Sequence, residues 1–274
     1  MKDLEGKVAV ITGASTPHGI GRAIARRFAK ENARVFLVAD RTNEQLDEAV
    51  KECSELTGPE NVCSALMDLG IPGQPEEMID RAIKKFGRID ILVNNAALRA
   101  PYDFGDFTRT TFDRMISVNL AAAFFASQAV LAPMRAQGGG RIIHITSQLA
   151  QLAAPQRALY GLTKAAMVHL TKSMAVELCR YNISVNALSP GPIATQPLRD
   201  IGLNSMRELY ESKSEKINQA KPEAAWNDDL LDRVPIGRLG EADEIADVAY
   251  YLAKQSPTFL MGQDIVVDGG YVLT

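Results

Sequence analysis

Cysteine and histidine are scarce in this chain, and their scarcity sets the first limits. Cys53, Cys63 and Cys179 are the only cysteines and show no CxxC spacing, which argues against a disulfide framework and against a zinc site. His18, His144 and His169 form no spaced ligand set of the HExxH kind, so no structural or catalytic metal is expected. Neither sign of charge dominates: 30 Lys and Arg stand against 33 Asp and Glu, a net charge of −3, and the basic residues are scattered. Without a basic face to neutralise phosphates, nucleic acid is not an expected partner. No apolar stretch reads as a membrane span, and MKDLEGKVAVITG passes straight into a strand-like run without a signal-peptide core. A cytoplasmic location with no membrane partner is the expectation. Linkers, internal repeats and low-complexity tracts are also missing, so residues 1–274 read as one domain.

What is present is a strand and helix rhythm. Short β-branched, apolar runs recur at Val8–Thr12, Val35–Ala39, Ile89–Val93, Arg141–Thr146, Ser184–Leu188 and Asp264–Val267, with a weaker one at Val62–Met67. Several are apolar at consecutive positions, as strands covered by helices on both faces must be. The expected fold class is therefore α/β, a Rossmann-type doubly wound parallel sheet. Gly21–Lys30 puts Ile24, Ala25 and Phe28 on one stripe and basic residues opposite, an amphipathic helix directly after the first strand. From Gln196 to Val234 the rhythm breaks: the stretch is polar, carries ESKSEK and holds the single tryptophan, Trp226. It reads as a helical lid inserted at 196–234.

The turn after the first strand carries Gly13, Gly19, Ile20 and Gly21. Glycines there let the backbone approach a pyrophosphate that the helix N-terminus can hold, and the strand-before, helix-after context favours that role over a bare turn. Asp40 closes the next strand, 19 residues after Gly21. A carboxylate at that place accepts from adenosine ribose hydroxyls and repels a 2′-phosphate, which favours NAD over NADP. Arg41 beside it could clamp that phosphate instead, so NADP is not excluded. Asp68 with Leu69, and Asn95 with Ala96 in the NNAA run, fall at strand C-terminal ends, where open α/β sheets bind ligands; they could equally be turn-forming residues.

YGLTK places Tyr160 and Lys164 four apart on one helical face. A phenol titrates near ~10, and a neighbouring ammonium favours its phenolate, so Lys164 is expected to lower the Tyr160 pKa and make it a proton donor or acceptor. Ser147, after the strand RIIHIT, offers a hydroxyl that could polarise a carbonyl. Asn119 sits in a helical run, where an amide is equally a structural group.

In that order and spacing, the TG turn at Thr12, Asp40, Asp68, NNAA, Asn119, Ser147 thirteen residues before Tyr160, Lys164, PGPIAT from Pro190 to Thr195 and GQDIVVDGG resemble the short-chain dehydrogenase/reductase family across nearly the whole chain. The resemblance implies that Tyr160 is the acid/base, that Lys164 also binds the nicotinamide ribose, that Ser147 holds the substrate oxygen, and that Asn119 helps position a relay water. It implies that Pro190, Gly191, Ile193 and Thr195 form the nicotinamide loop, and that the protein is a tetramer or dimer. The apolar segments Leu120–Leu131 and Ala165–Leu178 are candidate subunit contacts.

Two departures from the family pattern stand out. Five residues separate Gly13 from Gly19 where the family has three, and Pro17 and His18 in that longer loop bring a group that could approach a phosphate. Ala97 stands where the family commonly has glycine, which constrains the backbone there. For the substrate, Arg99, Gln148, Gln151 and Arg157 fall on loops beyond the sheet's C-terminal edge and suit a polar or anionic molecule such as a sugar, polyol or hydroxy acid. The expected activity is thus interconversion of such a secondary alcohol and its ketone. The rival within the class is an NADPH-dependent 3-oxoacyl carrier-protein reductase; outside it, a nucleotide-sensing or scaffold protein that has abandoned catalysis.

Overall fold

The computed structural model describes residues 2–40, 43–195 and 233–274. Arg41 and positions 196–232 of the expected lid lie outside the described residues. Seven parallel strands form one sheet in the order β3-β2-β1-β4-β5-β6-β7. They are β1 (Val8–Thr12), β2 (Arg34–Ala39), β3 (Val62–Leu66), β4 (Ile91–Asn94), β5 (Gly140–Ile145), β6 (Ile183–Pro190) and β7 (Asp264–Val267). The order reverses between β1 and β4, and the crevice at that switch point is where such sheets take ligands. The expected strands are all found; the fourth starts two residues later than its apolar run. Asp90 interrupts it, because its carboxylate accepts from the Val8 amide at 3.0 Å and from Arg88 at 2.7 and 2.8 Å.

Both faces of the sheet are covered, and β1 shows why its run is continuous. Ala9 and Ile11 join one apolar cluster while Val8 and Val10 join the other. The first cluster packs under α1 (Ile20–Lys30), α2 (Asn43–Thr57) and, near the C-terminus, α8 (Ala242–Tyr250). Phe28, Ile24 and Ala25 of α1 are wholly buried there. The second lies under α3 (Gln74–Phe86) and α7 (Ala158–Leu178), with α4 (Arg109–Ile116), α5 (Ala122–Ala129) and α6 (Leu131–Ala136) between them. Local sequence sets the helix ends. In α3 a proline opens the first turn, Glu76 and Glu77 complement the dipole there, Lys84 and Lys85 do so in the last turn, and Gly87 stops the helix at φ 78°.

One expectation needs correction. Arg109–Ala136 is continuous helix, and its best stretch has a mean hydropathy of 1.7, long and apolar enough to cross a membrane by length and composition. The sequence carries no charged residue from Met115 to Met134, but Ser117, Asn119, Ser127 and Gln128 break up the apolar run. About two-fifths of that stretch is buried on the sheet side, while Phe124 and Phe125 stay half-exposed on the outside.

Candidate active site

The turn between β1 and α1 is held by its neighbours. Gly13 has φ 66°, and a Cβ on it would come 2.9 Å from Asn95 Nδ2 and 3.0 Å from Ala96 Cα. A Cβ on Gly21 would collide with the Gly13 carbonyl. The Asn95 amide donates to the Thr12 carbonyl at 2.8 Å and to the Gly13 carbonyl at 3.0 Å. Thr12 Oγ1 in turn accepts from the Asn95 and Ala96 amides, both at 2.9 Å. The two loops at the switch point are thus one hydrogen-bonded unit, and Thr12 is a member that spacing alone did not single out. Helix α1 begins at Ile20 behind Gly19, with no side-chain cap and no acid in its first turn. Such a bare N-terminus presents its N–H groups and positive dipole end to an anion. His18 is exposed at φ 52°, a left-handed conformation that the lengthened loop imposes.

Other cofactor candidates ring this edge. Asp40 is exposed at the end of β2. Asp68 makes an ion pair with Arg114 at 2.9 Å and accepts from the Gly70 amide at 3.0 Å; partial burial opposes the charge, but these partners hold its carboxyl below the ordinary value. Leu69 is buried in the second cluster. Pro190 ends β6, the Gly191 amide donates to Val267 at 2.9 Å, and buried Ile193 bridges to Gly240. The Thr195 amide donates to the Ile193 carbonyl at 2.7 Å, tightening the loop. Ala97 is not among the residues with positive φ, so alanine is accommodated where a glycine was anticipated.

Ser147 follows β5, and its hydroxyl accepts from the Leu149 amide at 3.2 Å. Tyr160 and Lys164 lie on α7, one turn apart, as the spacing predicts. Lys164 is 1% exposed; its Nζ donates to the Ile145 carbonyl at 2.8 Å and lies 5.6 Å from the Tyr160 ring centre. Burial brings its pKa down to about 8. The expectation that Lys164 lowers the Tyr160 pKa is corrected: burial raises it, opposed by the charge of Arg99, a hydrogen bond with Ser147 and the charge of Arg157. The described hydrogen bonds of the lysine go to the β5 backbone and to the Met167 sulfur.

Asn119 is buried in a π-helical turn, Ser117–Ala121. Its Oδ1 accepts from the Leu98 amide at 2.7 Å and its Nδ2 donates to the Leu98 carbonyl at 3.0 Å and to Thr163 Oγ1 at 3.2 Å. Thr163 donates to the Tyr160 carbonyl at 2.7 Å, so the amide ties the loop after β4 to the helix that carries Tyr160. His144, which the sequence offered only as a rejected metal ligand, is wholly buried, and burial with the charge of Lys164 takes its pKa to about 4. Its imidazole is therefore neutral, with Nδ1 at 3.3 Å from Asn94 Nδ2.

Among the substrate candidates, Arg99 and Arg157 both act electrostatically on Tyr160. Gln148 is buried, with Oε1 lacking a hydrogen-bond partner. Gln151 is not brought to the site: its amide donates to Asp264 of β7 at 2.9 Å, because the short helical turn after Ser147 directs it to the sheet edge.

A family model described as short chain dehydrogenase matches residues 7–205, and one described as Enoyl-(Acyl carrier protein) reductase matches residues 212–272. The 3-oxoacyl-[acyl-carrier-protein] reductase of Thermotoga maritima is 35% identical, over 98% of this chain and 99% of its own. The L-xylulose reductase of Bos taurus is 34% identical, over 99% and 98%. Among solved structures, a Beutenbergia cavernae protein provisionally assigned as an NAD(P) dependent gluconate 5-dehydrogenase, with NADP bound at low occupancy, superposes with TM-score 0.82. It is 28% identical, over 99% of each chain.

Proposed function

The chain belongs to the short-chain dehydrogenase family, and we propose that it interconverts a polar or anionic secondary alcohol, of the sugar, polyol or hydroxy-acid type, with its ketone. One observation carries the substrate class: the guanidinium groups of Arg99 and Arg157 both bear on the Tyr160 hydroxyl. Two cations whose charge is felt at the reacting oxygen favour a substrate with carboxylate or clustered hydroxyl groups over an apolar alcohol. The relatives named for xylulose and gluconate chemistry support that choice. The relative named as a 3-oxoacyl carrier-protein reductase keeps that activity as the second reading.

The residues present fit a nicotinamide dinucleotide. The bare α1 N-terminus and the Gly13 to Gly21 turn would hold the pyrophosphate, Asp40 the adenosine ribose, Lys164 the second ribose, and Pro190 to Thr195 the carboxamide. When bound, the cofactor supplies or accepts the hydride. Ser147 Oγ positions the substrate oxygen, and Tyr160 Oη gives it a proton on reduction or takes one on oxidation. Lys164 fixes the end of β5 through the Ile145 carbonyl, and Asn119 holds the loop after β4 against α7. NAD is the preferred cofactor because Asp40 faces where a 2′-phosphate would add charge.

The exposed face of Leu120, Phe124, Phe125, Ala166 and Leu170 forms an apolar hollow that supports a dimer or tetramer of this chain. A cytoplasmic location goes with this reading. Oxidation of polyols, sugar acids, hydroxy acids and apolar alcohols should be measured with NAD and NADP. Turnover of polar substrates with NAD is expected. Activity confined to apolar alcohols, or to acyl thioesters with NADPH, would reject the substrate class.

A further inference from the structure

The lengthened glycine turn raises a question that the family pattern leaves open: what holds two extra residues in shape. Closing a longer loop costs entropy, and His18 in a left-handed conformation adds local strain. The turn is tied at successive carbonyl and amide groups. Asn95 donates to Gly13, the Ala14 amide donates to Val38 at 3.1 Å, and the Gly19 amide donates to Thr16 at 2.9 Å. The remaining tie, at Ser15, is the only one of these made by a cation. Arg22 Nη1 donates to the Ser15 carbonyl at 3.2 Å.

Arg22 is an unusual residue for its place. It lies in the first turn of α1, the end of a helix where a cation is disfavoured. It is nevertheless 6% exposed. Two carboxylates of α2 account for this. Nε and Nη2 reach Glu52 at 3.0 and 2.9 Å in a bidentate fork, and Nη2 and Nη1 reach Glu48 at 3.3 and 3.4 Å. With Ser15, all five N–H donors have acceptors. Burial opposes the charge, yet Glu52 and Glu48 hold the guanidinium pKa above its ordinary value. A fork used up in this way has one geometry, and the Ser15 carbonyl is fixed by it.

We propose that Arg22, locked by Glu52 and Glu48, is a positioning residue that sets the shape of the lengthened glycine turn and thereby the affinity for the dinucleotide. The inference rests on reading that turn as the pyrophosphate site. A lysine keeps the charge but has three donors on one nitrogen, so it cannot reproduce the bidentate fork to Glu52 together with the contacts to Glu48 and Ser15. Arg22→Lys and the double variant Glu48→Gln, Glu52→Gln are therefore expected to raise the NADH Kd and KM about five- to tenfold, with kcat at saturating cofactor within about twofold of wild type. Amide exchange, followed by mass spectrometry in the full chain, should quicken over residues 13–19. A tie serving only to join α1 to α2 would lower the melting temperature and leave Kd and loop exchange unchanged, which would overturn the proposal. A fall in kcat matching the rise in KM would overturn it as well. Should Arg22→Lys fail to fold, the Gln variants keep the guanidinium and carry the same measurements. A wild-type protein that binds no NADH overturns the cofactor reading and the claim on affinity, and loop exchange then decides the anchoring on its own.

Discussion

Replacing Lys164 by methionine is expected to inactivate the protein and stabilise it at the same time. The side chain is buried, and its described partners are the Ile145 carbonyl at 2.8 Å and the Met167 sulfur at 4.0 Å, with no carboxylate among them. Burial takes its pKa from 10.5 to about 8. At about 1.4 kcal/mol per unit, the charge costs the native state roughly 3 kcal/mol wherever lysine is protonated both folded and unfolded, below pH ~8. Between about pH 8 and 10.5 the unfolded chain still binds the proton that the folded chain has released, so wild-type stability rises with pH across that window. Methionine has a similar volume and no charge, and forfeits the bond to Ile145, worth roughly 1–2 kcal/mol. The net expectation at pH 7 is a gain of about 1–2 kcal/mol, turning into a loss of similar size once the wild-type lysine is neutral. Urea unfolding at pH 7 and pH 10, at one fixed protein concentration, reads this from midpoints at a common slope. A variant less stable than wild type at pH 7, or a difference that does not change between the two pH values, would refute the reasoning.

Two further outcomes bear on the site and the surface. Tyr160→Phe keeps the ring and removes the transferable proton, so turnover should be lost while the NADH Kd, measured by fluorescence titration, stays within about twofold; an unchanged kcat would reject the acid/base role. Phe124→Lys with Phe125→Lys places two charges on the apolar outer face, and sedimentation should show a smaller species than wild type; an unchanged assembly would show that this face is not a subunit contact.

The fold was legible because it rests on local pattern. Seven β-branched runs and the intervening apolar stripes are readable one segment at a time, and the largest displacement of a strand start is that of β4, where Asp90 serves Lys7 and Val8, both distant in sequence, and its neighbour Arg88. Ser147, Tyr160 and Lys164 were legible as residue types in an ordered spacing. What spacing could not convey is what each group spends its hydrogen bonds on. Asn95 supports the Gly13 carbonyl, Asp68 pairs with Arg114, Gln151 turns to Asp264, and Arg22 reaches across to α2. Each of these depends on partners 30 to 113 residues away, which no local window contains. A signal for Arg22 did exist: a basic residue in the first turn of a helix, opposite Glu48 and Glu52 at one-turn spacing.

The direction of the Tyr160 shift is the sharpest case, and it bears on chemistry. The YxxxK spacing alone suggests a phenolate poised by an ammonium. In the folded chain burial disfavours charge on both groups, raising the phenol and lowering the lysine to about 8. At neutral pH both therefore hold their protons, and Tyr160 stands loaded as an acid. Donation to a ketone oxygen needs no prior ionisation, whereas taking a proton from an alcohol requires the phenolate that burial resists. Arg99, Ser147 and Arg157 are the groups that oppose that resistance. An anionic substrate neutralising the two arginines would weaken their support for the phenolate. A carboxylate drawn to Arg99 and Arg157 would therefore favour the protonated tyrosine and move the onset of oxidation to higher pH, while the equilibrium between alcohol and ketone stays the same.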